Sequence, residues 1–159
     1  MFKKMMISLL LGLIPISTGS SFAATPLHVI VNEKNYSSSN FILKDNRLYA
    51  SIETVSSMMG ALNGWVFKDK QSVSFVTHFS RKGNSDELYT WYNNSNQLVI
   101  WSKQAEEEKT HKITMNNSTI ISKDEEILLP LRESIIALGK SIGWDYKTNV
   151  VTVTGKISY

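Results

Sequence analysis

The residues of this chain able to do chemistry are three histidines (His28, His78 and His111), fourteen carboxylates and a scatter of serines. A metal site needs several histidine or carboxylate ligands converging on one point. The histidines are far apart in sequence, and none has a second histidine two or four positions away. There is no cysteine, which removes thiolate metal sites, thiol nucleophiles and disulfides together. Met58, Met59 and Met115 fall on predicted helix and strand, where a thioether packs. Carboxylate pairs for glycoside cleavage would be Glu53 with Asp69, or Glu133 with Asp145. Each is more simply a helix residue beside a turn residue, and Arg132 could pair with Asp145 or Glu133 instead. No sequence cue joins a serine to a histidine and an orienting carboxylate. No catalytic residue, metal site or cofactor is assigned.

Aromatic residues give the candidate binding face: Tyr89, Trp91, Tyr92 and Trp101, on one predicted hairpin. Residues i and i+2 of a strand share a face, so Tyr89 and Trp91 point one way and Tyr92 the other. Exposed, such rings stack on sugars or anchor a protein partner. Turned inward, they are core. Both readings stay open. Trp65 and Trp144 recur at matching places in two halves of the chain, which points to a packing role.

The elements that must position these residues begin after a leader. Met1-Phe2-Lys3-Lys4, an apolar run from Met5 to Ile16 and a small-residue exit to Ala23-Ala24 form a secretory signal peptide over residues 1–23, with cleavage after Ala24 as the alternative. The run of about a dozen apolar residues is short of the roughly 20 that cross a bilayer. Losing Lys3 and Lys4 takes the formal charge from +3 to +1. The remaining bases are scattered, so nucleic acid drops out. At 42% hydrophobic and 19% charged, the chain is globular, not disordered.

A constant shift of 79 superposes Leu48 on Ile127, Ala50 on Leu129, Ile52 on Leu131, Gly60 on Gly139 and Trp65 on Trp144. Upstream, Val29-Ile30-Val31-Asn32 matches Ile113-Thr114-Met115-Asn116 at a shift of 84. In each half a strand with one buried face runs into a helix, with Ser51 as an N-cap and Pro130 at the matching helix entrance. Gly60 and Gly139 stand where the helices end. A Trp-bearing strand, a polar turn and a Val/Thr-rich strand follow. The pattern is β-β-α-β-β twice: repeat one about 27–79, an extra hairpin about 86–103, repeat two about 111–155. Gln104 to Lys109 reads as a polar connection, its acidic triple Glu106-Glu107-Glu108 in a solvated loop or short helix.

Asp124 to Arg132 (Asp-Glu-Glu-Ile-Leu-Leu-Pro-Leu-Arg), then Ala137-Leu138-Gly139, Gly143-Trp144-Asp145 and Val150-Val151-Thr152-Val153, resemble the copper amine oxidase N-terminal-like, or stalk, domain family of exported bacterial proteins. The first half fits loosely, with Ser51-Ile52-Glu53 where Pro-Leu-Arg is usual and Trp65-Val66 where Trp-Asp is usual. The resemblance runs from about His28 to Thr154. It implies an α+β fold, an antiparallel sheet packed around one helix per repeat, and an accessory role. Copper and quinone belong to other domains of the oxidases, so the resemblance implies neither here.

The expectation is therefore a secreted, non-catalytic module with a structural or binding role at the cell envelope. Its expected partners are cell-wall polysaccharide or another envelope protein, with no nucleic acid and no membrane span after cleavage. The alternative is an enzyme acting on envelope polysaccharide, or an inhibitor or accessory partner of one.

Overall fold

The structure, a computed structural model, describes residues 26–59, 66–79, 85–104 and 106–155. The expected leader over residues 1–23, Gly60 and Trp65 lie outside the described residues. In chain order come β1 (His28–Val31), β2 (Lys34–Tyr36), a 3-10 turn (Ser38–Asn40), β3 (Phe41–Lys44), β4 (Arg47–Ser51) and α1 (Ile52–Met58). Next are β5 (Val66–Lys68), β6 (Ser72–Phe79), β7 (Ser85–Tyr92), β8 (Gln97–Gln104) and β9 (Glu107–Thr114). Last come β10 (Ile120–Ile121), β11 (Ile127–Pro130), α2 (Leu131–Ala137), β12 (Ser141–Asp145) and β13 (Val150–Thr154).

Local chemistry explains the boundaries. Asn32-Glu33 and Asp45-Asn46 all have positive φ (46°, 69°, 50° and 58°), the left-handed pair that two-residue hairpin loops require. Ser51 Oγ accepts from Thr54 N at 3.2 Å and caps α1. Pro130 is the N-cap of α2 and supplies no side-chain acceptor. At the other end of α2, Gly139 sits at φ 73°. Its N–H reaches Ile136 O (2.9 Å), and Lys140 N reaches Ile135 O (3.1 Å). Those two bonds and the left-handed glycine are a Schellman ending.

The chain is mixed α+β, mostly strand, with two short helices among the described residues and several sheets. How the strands are shared differs from one antiparallel sheet around each helix. Three sheets form, ordered β12-β13-β1-β2, β10-β11-β4-β3 and β5-β6-β7-β8-β9. In the second, strands from opposite ends of the chain pair antiparallel, and Ala50 lies opposite Leu129, the residue that a shift of 79 superposes on it. In the first, β1 runs parallel to β13. Asn32 closes that contact, its N–H donating to Val153 O (3.0 Å) and its Oδ1 accepting from Gly155 N (3.1 Å). The physical reason is edge satisfaction. A four-residue β1 with only β2 beside it would leave its other edge unpaired, and pairing across the chain removes that cost.

Two further differences concern the middle of the chain. The β7–β8 hairpin is no separate feature, because it is inserted between β6 and β9 in the five-stranded sheet. Gln104 to Lys109 is neither loop nor helix beyond the turn: β8 and β9 pair from Gln97↔Thr114 to Gln104↔Glu107. Glu107, Glu108 and Lys109 stand exposed on that edge strand, with Lys103 Nζ 3.5 Å from Glu108 Oε1 across the ladder. Charge on an exposed edge blocks pairing with another chain.

The core lies where the helices meet the sheets. Ile52, Val55 and Met58 of α1, and Leu131 and Ile135 of α2, are buried against Ala50, Leu129, Phe75, Val151 and Val153. Strand β4 was expected to bury one face only. It buries Leu48, Tyr49 and Ala50 in succession. Tyr49 is on the opposite face, and burial pushes its pKa up despite the Arg47 charge beside it.

Candidate functional site

Of the hairpin aromatics, the structure turns the first two inward. Trp91 is fully buried and Tyr89 nearly so, with ring centroids 6.2 Å apart. Tyr89 donates its hydroxyl to Glu87 Oε2 (2.6 Å), and burial followed by that carboxylate pushes its pKa well above the usual phenol range. Neither can contact a ligand, so the four residues do not form one binding face. The reason is register: Trp91 shares a row with Val73, Leu98 and Ile113, and that row faces the core. Tyr92, 41% exposed, and half-buried Trp101 are left on the outer side of the sheet.

A different place gathers polar and aromatic side chains. A cleft of about 410 Å³ opens between β4, α2 and β12. Leu48, Leu131, Ile142 and Val151 give it an apolar lining, and Arg47, Arg132, Glu133, Asn46, Asn116 and Asn117 supply the polar groups. Trp144 and Tyr146 complete the lining, their rings stacked at 4.8 Å and 21°. Trp144 is anchored, its indole Nε1 donating to Asn149 Oδ1 (3.3 Å) and its ring packed against the core. Tyr146 is 73% exposed. A half-buried, hydrogen-bonded ring thus backs an open one.

The carboxylates considered for catalysis find other work. Asp145 accepts from Thr148 Oγ1 (2.8 Å) and Lys147 N (2.9 Å), which hold its carboxyl below the usual range. Asp69 does the same in its own turn, accepting from Gln71 N (2.6 Å) and Ser72 N (2.7 Å). Glu133 accepts from Asn117 Nδ2 inside the cleft. Arg132 pairs with neither Asp145 nor Glu133: among the described residues it makes no ion pair. Glu53 is bound by Lys68, whose ammonium also lies 2.7 Å from Glu126 Oε1.

That trio carries a pH signature. Partial burial is the largest influence on the Glu53 carboxylate and works against it. The Lys68 hydrogen bond, the Lys68 charge and bonds to the backbone and Ser51 together outweigh it, and the pKa ends lowered. Burial likewise works against the Lys68 ammonium, but Glu126 and Glu53 outweigh it and the pKa ends raised. A lowered acid contributes stability above its unfolded pKa and loses it as pH falls through the folded value. A raised lysine contributes below its unfolded pKa and loses it as pH rises through the folded value. The trio therefore stabilises across the neutral range. With side chains 36–50% exposed, solvent screening limits the contribution. Lys68→Met should cost no more than about 1 kcal/mol at neutral pH. The difference from the unaltered protein should vanish at pH low enough to protonate Glu53, as read by thermal unfolding at both pH values.

Among the described residues no three histidine or carboxylate side chains gather as metal ligands. His28 is exposed on β1 and His111 is exposed on β9. His78 belongs to β6, with β7 and β8 between it and β9. Among the described residues no helix is long and apolar enough to cross a membrane.

Sequence reasoning had singled out Trp144 and Arg132 only as structural residues, and had not reached Arg47, Tyr146 or the three asparagines. Compared with protein-family models, curated proteins and solved structures, the chain has no match to any of them.

Proposed function

We propose that this chain is an exported, non-catalytic binding module of the cell envelope, akin to the stalk domains, which takes a saccharide in the Trp144–Tyr146 cleft. The observation that carries the reading is Tyr146, an open ring held flat on an anchored indole at the side of the cleft. Aromatic faces of this kind stack on sugar rings, and the surrounding amides and guanidinium groups match hydroxyls and acetamido oxygens. The volume falls in the range of about 300–1,000 Å³ usual for small-ligand sites. The leader pattern of residues 1–23 supports export. The alignment of Ala50 with Leu129 supports two related halves joined about a pseudo-two-fold axis.

Glu133 is the one carboxylate among the residues lining the cleft, whereas glycoside cleavage needs two flanking the scissile bond. This favours binding over hydrolysis. Retention on purified cell wall tests the reading. Tyr146→Ala should weaken retention by about tenfold, the cost of losing one aromatic contact, while leaving the unfolding transition in place. Retention unchanged by the substitution counts against the cleft. Release of reducing ends from wall polysaccharide, abolished by Glu133→Gln, would make the protein an enzyme instead.

A further inference from the structure

The shift of 79 that lays Ala50 over Leu129 also carries Arg47 to Glu126 and Glu53 to Arg132. Two equivalent places in the halves are therefore charge-inverted. At one, Glu53 and Glu126 share the Lys68 ammonium between them, so the chain supplies the counter-charge itself. At the other, Arg47 and Arg132 line the cleft, and among the described residues neither makes an ion pair. Arg47 lies beside the Tyr49 hydroxyl, a neutral group that leaves its charge unbalanced. Glu133 lines the same cleft and accepts from Asn117, so two guanidinium groups stand there against one carboxylate, and Asp145 is bound within its own turn.

Like charges gathered at one place repel unless an opposite charge joins them. The first place is filled from within. The second is open and has the same design with the signs exchanged. Guanidinium groups suit oxyanions in particular, because their planar N–H forks meet carboxylate or phosphate oxygens in pairs. We propose that Arg47 and Arg132 form an anion seat for a charged saccharide, binding its carboxylate or phosphate while the sugar ring lies against Tyr146. The inference rests on the saccharide reading of the cleft and adds the charge of the ligand to it.

Calorimetric titration of the full chain with three probes tests this. The disaccharide of N-acetylglucosamine and N-acetylmuramic acid carries one carboxylate. Chitobiose has the same two rings with no charge, and N-acetylglucosamine 1-phosphate presents a phosphate. At least one anionic probe should bind about tenfold or more tighter than chitobiose, and its affinity should fall with added salt. Whichever anion binds better identifies the group the seat prefers. Arg132→Glu, with Arg47→Glu as a second variant, should remove that advantage, lowering anion affinity by about tenfold or more and chitobiose affinity by less, while Arg132→Lys retains part of it. Chitobiose binding as tightly as both anions, or both reversals leaving anion binding intact, overturns the anion seat and leaves the saccharide cleft standing. Failure of all three probes to bind overturns both.

Discussion

Trp91→Ala should destabilise the protein by about 3–5 kcal/mol, the usual cost of removing a fully buried large aromatic. A typical domain has only about 5–15 kcal/mol to lose. The indole is wholly enclosed, stacked on Tyr89 and flanked in its row by Val73 and Leu98. Its removal would leave a cavity at the centre of the five-stranded sheet. The site carries a second, smaller effect of opposite sign. Nε1 of Trp91 is buried with no hydrogen-bond partner, a state that costs about 1–3 kcal/mol. Trp91→Phe keeps much of the ring and abolishes the orphaned donor, so it should be far milder than alanine. Urea unfolding of the two variants checks this. An alanine variant as stable as the starting protein would refute the account of the sheet, and any loss of wall retention by Trp91→Ala reports unfolding, not a lost ligand contact.

Cutting the chain should have an even larger effect. A fragment ending at Gln104 loses β13 from beside β1, β11 from beside β4, and α2 from beside α1. The complementary fragment starting at Glu106 keeps β10 to β13 but leaves Leu129, Leu131 and Ile135 without Ala50, Ile52 and Val55. Neither piece retains a closed core, so neither should show a cooperative thermal transition by circular dichroism. Cooperative unfolding of either one, within a few degrees of the full chain, would mean that the halves are independent units and the shared sheets incidental.

What the sequence made legible was local. The Ser51 cap, the glycine ending of α2 and the i, i+3, i+7 stripe of Ile52, Val55 and Met59 depend on neighbours a few residues away, and the structure has each of them. That Tyr89 and Trp91 share a face opposite Tyr92 was also readable. Which face turns inward was not, since it depends on the packing of α1 against β6, elements separated in the chain from the hairpin. The pairing of β4 with β11 and of β1 with β13 leaves no trace in any short window. The segment around Glu106-Glu107-Glu108 misled for a related reason: an edge strand exposed on both faces has no alternation to detect. The cleft draws Arg47 and Arg132 from opposite halves, so no spacing rule joins them. One signal was available. The exchange of Arg47 for Glu126 and of Glu53 for Arg132 lies within the same alignment that revealed the repeats.

The parallel contact between β1 and β13 also governs when this protein can fold. Strand β1 has its longer neighbour, β13, in the other half of the chain, so the first sheet cannot close until synthesis has passed Thr154. At about 5–20 residues per second, that wait is on the order of ten seconds. Contacts so distant in sequence also slow folding after synthesis, because the entropy of closing the loop is spent before the contact forms. Until β13 joins, the first sheet lacks both β12 and β13. Under the export proposed above, delayed closure of that sheet favours passage through a membrane channel.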